Sequence, residues 1–341
     1  MLRRYIFSIL FILCLPTFAM EERPFRILSI DGGGIRGVIP TVILEKIEEE
    51  LQRPISEVFD MVAGSSTGGI IALSLATRNL TTSEPNYSAQ EMTDLYINNS
   101  VDIFHASFTH KLATLGGLLG PKYETTGLLT MLEEKLGDTK LSQTIIPTLI
   151  TGYHIEGETG VEFFSEDAKK FPKDKDCLLT EVGMATAAAP VYFESVDVNF
   201  DWGVLKSVAD GGLYKQNPSL LAYLNAKKIA NGRKIEIYSL GTGVFTSEEL
   251  DAQFKGRGLL QWLTRLLGHI QIGGTEADDS VLHRLLNEDG ERNYFRINAR
   301  IAEEHSKMDD TSEENLHYLY QQGVKVTETP LFAEVLRRLK N

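Results

Sequence analysis

The chain has 341 residues, 43% hydrophobic and 24% charged, which is the composition of a globular protein with ample material for a core. Its net charge of −13, with no Lys/Arg cluster interleaved with aromatics to offset it, argues against a nucleic-acid partner. It does not argue against a membrane substrate, where a local patch can dominate.

Leu2-Arg3-Arg4 supplies a positive start, Tyr5 to Leu15 is almost wholly apolar, and Thr17 and Ala19 are small residues three and one before a cut after Ala19. That layout predicts a signal peptide over 1–19 and a periplasmic or secreted protein. The apolar run is short of the roughly 20 residues a membrane span needs; the competing reading is an uncleaved interfacial anchor. Bulky Leu13 before Cys14 disfavours lipidation. Cleavage leaves Cys177 alone, so no internal disulfide staples the fold.

Phe25 to Ile30 reads as a buried parallel strand ending on Asp31-Gly32-Gly33-Gly34-Ile35-Arg36-Gly37. A helix follows from about Val38 to Gln52, with Ile39, Ile43, Ile47 and Leu51 on one face and Glu45, Glu48, Glu49 and Glu50 on the other. Phe59 to Ala63 is a second strand, then Gly64-Ser65-Ser66-Thr67-Gly68 and a small-residue helix to about Ala76. This βαβα opening predicts a parallel sheet with helices on both faces. Ser88 to Glu91 is a capping box opening a helix through about Phe104, and Thr125 caps another that Gly137 ends. Strands follow at 148–155 and 161–164, a helix at 180–189, and a strand at 204–208 that runs into Asp210-Gly211-Gly212. Asn217-Pro218 starts a helix through Ala230, and the strand 234–240 ends at Gly241-Thr242-Gly243. The remainder is mostly helical over 245–341, with one strand at Tyr294 to Ile297. With no repeat or linker, 25–341 reads as one domain whose motif-bearing core is 25–220.

Glycine-rich turns after Ile30, after Ala63 and at Asp210 all follow predicted strands. In an open parallel sheet the carboxyl ends of strands share one edge, so these turns are expected to converge. Gly64 to Gly68 has the G-x-S-x-G form of a nucleophile elbow, in which Gly64 and Gly68 permit a sharp turn that exposes Ser66; as a pentapeptide alone it also fits a plain turn. The loop from Gly32 to Gly37 fits a dinucleotide fingerprint, yet the acidic residue expected about 20 positions on is missing and Asp31 would place charge beside a pyrophosphate. Successive glycine N–H groups at a helix N-terminus equally suit the oxyanion of acyl transfer. None of the seven histidines sits in a glycine turn after a strand, whereas Asp210 does. A carboxylate near Ser66 could take its proton if burial raised its pKa.

These three motifs, in this order and context, resemble those of patatin-like lipid acyl hydrolases. Ala185 to Phe193, Asn217-Pro218 and Met308-Asp309-Asp310 resemble the family too, so the likeness runs from about Phe25 to the C-terminus. The resemblance implies a three-layer α/β/α fold with a mainly parallel central sheet and a Ser–Asp dyad without histidine. It implies Ser66 as nucleophile, Asp210 as proton acceptor, an oxyanion hole from Gly32, Gly33 and Gly34, and Arg36 fixing that loop. The substrate is then a phospholipid or other glycerolipid, cleaved by a phospholipase A-type or lysophospholipase reaction with no metal or cofactor and with transient membrane-surface contact. Leu115 to Leu119 and Leu259 to Leu267 with Trp262 are candidate interfacial segments, or ordinary core. The alternatives are a dinucleotide-binding oxidoreductase and an inactive lipid-binding protein on the same fold.

Overall fold

Alternation along the strands builds two cores, one on each face of a single sheet. The computed structural model describes residues 23–78, 85–114, 119–244, 259–287 and 290–340, with backbone only at 108, 111, 112 and 259–270. The predicted signal peptide 1–19, Leu115 to Leu118 and the side chain of Trp262 lie outside what is described. The strands are β1 (Phe25–Ile30), β2 (Met61–Gly64), β3 (Thr148–His154), β4 (Thr159–Phe164), β5 (Val196–Phe200), β6 (Gly203–Asp210), β7 (Ile235–Leu240) and β8 (Tyr294–Ile297). They follow the path β5-β6-β3-β2-β1-β7-β8, with β4 added to β3. The longer helices are α1 (Val38–Leu51), α2 (Thr67–Ala76), α3 (Ala89–Ile103), α4 (Thr126–Leu136), α5 (Leu179–Ala187), α6 (Ser219–Ile229), α7 (Leu259–Leu286), α8 (Glu313–Thr327) and α9 (Pro330–Lys340).

Successive strand residues point to opposite faces. Leu28, Val62, Ile150, Tyr238 and Phe295 face a core shared with α1 to α5, α8 and α9. Their neighbours Ile27, Met61, Leu149, Ile237 and Tyr294 face α6 and Leu282 of α7. A sheet covered on both faces is the three-layer α/β/α arrangement, and it explains why β1 and β2 are buried at every residue.

Helix ends follow their chemistry. The Ser88–Glu91 capping box is present in full, whereas Thr125 holds the N-cap position of α4 without a side-chain bond. Glu48 is not simply a solvated member of the acidic face: its carboxylate accepts from Ile55 N–H (2.9 Å) and Ala89 N–H (2.8 Å), tying α1 to the start of α3. Arg26 on β1 donates to the carbonyls of Leu339 (3.1 Å) and Arg338 (2.7 Å), satisfying the end of α9.

The central sheet is mainly parallel, as the sequence predicts, but β6, which bears Asp210, runs against that direction. β1, β2, β3, β7 and β8 are parallel neighbours, but β6 is antiparallel to β3, with Asp210 opposite Gly152. β5, for which the sequence pattern predicts no element, forms an antiparallel pair with β6. The registers explain the arrangement. β4 occupies one edge of β3 across 149–154, so β2 at 148–150 and β6 at 152–154 take the other edge in succession. β2 and β6 therefore run toward each other and stop nearly end to end.

Candidate active site

The meeting of β2 and β6 brings Ser66 and Asp210 together. β2 ends at Gly64, and Ser66 takes φ 52° and ψ −125° before α2 begins. That backbone conformation is sparsely populated for a side-chain-bearing residue and costs on the order of 1–3 kcal/mol. The turn is held by close packing: a Cβ on Gly64 would lie 2.2 Å from the Gly68 carbonyl oxygen, and one on Gly68 would lie 2.3 Å from the Ile30 oxygen. The Ser66 N–H donates to Thr186 Oγ1 of α5 at 2.9 Å.

Ser66 Oγ donates to Asp210 Oδ2 at 2.6 Å, and Gly212 N–H donates to Asp210 Oδ1, also at 2.6 Å. Asp210 is 5% exposed. Burial pushes its carboxyl up to about 6, against the opposing pull of the Ser66 hydroxyl and the Gly212 amide. A base must be ionised to accept a proton, so the sign is fixed. If Asp210 is the base, kcat/KM rises with pH through about 6 and levels off above it. Stopped assays on a soluble ester across that range check this, and a profile flat through the same window contradicts it.

The glycine loop lies alongside the serine; a Cβ on Gly32 would be 3.1 Å from Ser66 Cβ. One expected role needs correcting. The Gly32 N–H is turned to the Gln216 carbonyl (3.0 Å), so it is not a free donor for an oxyanion. Its own carbonyl accepts from Gln216 Nε2 (2.7 Å) and Thr242 Oγ1 (2.6 Å), which fixes the peptide from both sides. Gly33 and Gly34 N–H are left without a hydrogen-bond partner among the described residues. Ile35 N–H donates to the Met308 carbonyl at 2.8 Å. Arg36 is buried, and its Nε donates to the Gly33 carbonyl at 3.2 Å, as expected of a residue that fixes the loop; burial lowers its pKa to about 10. Asp31 is neutralised by Arg296 of β8, whose Nη1 and Nη2 reach its two oxygens at 2.9 and 2.5 Å.

Ser66, Asp210, Gly33, Gly34, Arg36, Gly64 and Gly68 thus share one sheet edge. Among the described residues no histidine bonds Ser66 or Asp210, and Gln271 of α7 reaches the Gly212 carbonyl at 3.3 Å. Thr186, Gln216 and Thr242 were missed as supports, although each adjoins or lies within a stretch singled out by pattern. A hydroxyl shared with a buried carboxylate beside two unfilled amides suits acyl transfer. Dinucleotide binding fits poorly, because Gly32 and Ile35 N–H are already taken.

The pattern of the patatin-like phospholipase family (Patatin) matches residues 28–223, more than half of the chain. The chain belongs to the patatin-like phospholipase family. Patatin-like protein 2 of Arabidopsis thaliana is 33% identical over 345 residues, covering 89% of this chain and 83% of that protein. Patatin group D-2 of Solanum tuberosum is 29% identical over 353 residues, covering 92% and 87%. The patatin-like match contains all three motifs and Gln216, whereas Thr242, Arg296 and Met308, which brace the glycine loop, lie beyond it.

Proposed function

We propose that this protein is a serine lipid acyl hydrolase of phospholipase A or lysophospholipase type, with Ser66 as nucleophile and Asp210 as proton acceptor. The observation that carries the reading is the 2.6 Å Ser66–Asp210 hydrogen bond, made to a carboxylate whose pKa burial has raised. Asp210 takes the Ser66 proton as Oγ bonds to the ester carbonyl carbon, and the tetrahedral oxyanion is held by the Gly33 and Gly34 N–H groups. Collapse breaks the bond to the lipid alcohol, which leaves with the proton from Asp210. Water then gives a proton to Asp210 and attacks the acyl-enzyme, so that the fatty acid departs and Ser66 regains its hydrogen. The substrate is a glycerolipid met at a lipid surface, and residues 1–19 direct export toward it.

The test uses phosphatidylcholine in mixed micelles and a fluorophosphonate ester. Mass spectrometry should find free fatty acid from the lipid and the phosphonyl adduct on the peptide that carries Ser66. A protein that releases no fatty acid and stays unlabelled is not a serine acyl hydrolase.

A further inference from the structure

Two loops beside the proposed site end in exposed apolar side chains. The loop 188–193 starts at the dyad, where the Ala188 carbonyl accepts the Asp210 N–H at 3.0 Å. Further along, Tyr192 comes within electrostatic reach of Arg36. The second loop, 119–123, is tied to the first: Lys122 N–H donates to the Val191 carbonyl (2.8 Å) and Tyr123 N–H to the Tyr192 carbonyl (2.9 Å). Beneath them Ala106, Tyr123 and Phe193 form a small cluster separate from the two main cores, joined by Phe104 and Tyr192. Tyr123 packs edge-on to Phe104 at 5.5 Å and stacks on Tyr192 at 6.3 Å. The loops therefore stand on a packed aromatic platform.

Leu119 and Val191 project from it, 74% and 59% exposed. Val191 also has φ 75°. For a β-branched residue this is a true outlier, suited to Gly or Asn, and no burial of the side chain offsets the strain. Lys122 lies over the Tyr123 and Tyr192 rings, at 5.1 and 5.9 Å, and pairs with Asp309, to which Tyr123 Oη also donates at 2.7 Å. Tyrosines and a lysine stem beneath exposed aliphatic tips match a lipid–water boundary, apolar outward and polar behind.

We infer that Leu119 and Val191 enter the lipid surface and dock the mouth of the active site on it, and that this surface is zwitterionic or uncharged. The charge argument selects the occupant. Asp309 pairs with the lysine of the platform, so this cation is not free to draw an anionic lipid surface to the tips. The inference rests on the acyl hydrolase reading for its purpose, but its test does not need catalysis.

Full-chain Ser66→Ala protein is floated with phosphatidylcholine vesicles, with and without phosphatidylserine, at low and high salt. Binding is expected to phosphatidylcholine alone, insensitive to salt and not increased by phosphatidylserine. Val191→Asn with Leu119→Asn should lower the bound fraction about tenfold, because two aliphatic insertions are lost. Asparagine tolerates positive φ, so Val191→Asn should melt no lower than the parent, and unfolding cannot account for its loss. In the Ser66-bearing protein, the same pair should depress hydrolysis of vesicle lipid far more than that of a soluble short-chain ester. Vesicle binding that survives the pair, or that requires phosphatidylserine and disappears at high salt, overturns the inference. A self-association that the pair abolishes, without vesicle binding, assigns the tips to a second copy instead. If the soluble ester is not cleaved at all, the hydrolase reading fails while the flotation result still stands.

Discussion

Asp210→Asn is expected to cut turnover about 10³–10⁴-fold, the range seen when one member of a nucleophile–base unit is removed. The geometry makes this a clean test. An Asn side chain can keep both contacts, its Oδ1 accepting from Gly212 and its Nδ2 donating to Ser66 Oγ, but it cannot take the serine proton. The same change should raise the melting temperature near neutral pH. Burial lifts the Asp210 pKa from 3.8 to about 6, so the native state holds this proton more tightly than the unfolded chain does. Its favourable contribution is full below the unfolded value and is lost as pH rises through the folded one. At neutral pH the ionised carboxylate therefore costs the fold up to about 3 kcal/mol, which a neutral amide avoids. Ser66→Ala should be equally inactive but less stable than Asp210→Asn, since it removes a donor from a buried carboxylate. Calorimetry on the three proteins checks the order, and an active Asp210→Asn enzyme excludes Asp210 as the base.

Much of this site was legible in the sequence because its parts are local. A glycine that lets backbone pass backbone, a serine between strand and helix, and a carboxylate at a strand end each leave a mark within five or six residues. The convergence of the parts was expected for the wrong reason. Parallel strands would bring the three loops to one edge, but β6 runs antiparallel and reaches that edge from the opposite side. Strand direction depends on a partner more than fifty residues away, and no local pattern encodes it. β5 was missed because only Val198 along it is fully buried, which leaves little alternation to read. The glycine loop failed in the same non-local way. Whether the Gly32 N–H faces substrate or protein depends on Gln216, and whether Asp31 repels an anion depends on Arg296, 265 residues distant.

Gly34→Ala is expected to lower kcat and kcat/KM together by about 10²–10³, with KM little changed, the signature of a donor used only in the transition state. Two independent obstacles act at this position. The residue has φ 59°, where an L side chain is strained by roughly 1–2 kcal/mol. A Cβ there would also sit 2.2 Å from the Met308 carbonyl oxygen, which is backbone and itself accepts Ile35 N–H at 2.8 Å. The loop must shift away from Met308, displacing the Gly34 N–H from the place the proposed oxyanion hole requires. Gln216→Ala makes the contrast. It removes the 2.7 Å bond to the Gly32 carbonyl but keeps both the backbone carbonyl that holds Gly32 N–H and the Thr242 bond. The loop is then loosened without being displaced, and a loss of about tenfold in kcat is expected. Gln216→Glu offers an acceptor in place of the donor and should not restore it. If Gly34→Ala raised KM while leaving kcat intact, the loop would serve ground-state lipid binding, and the oxyanion would have to be held by donors other than these two amides.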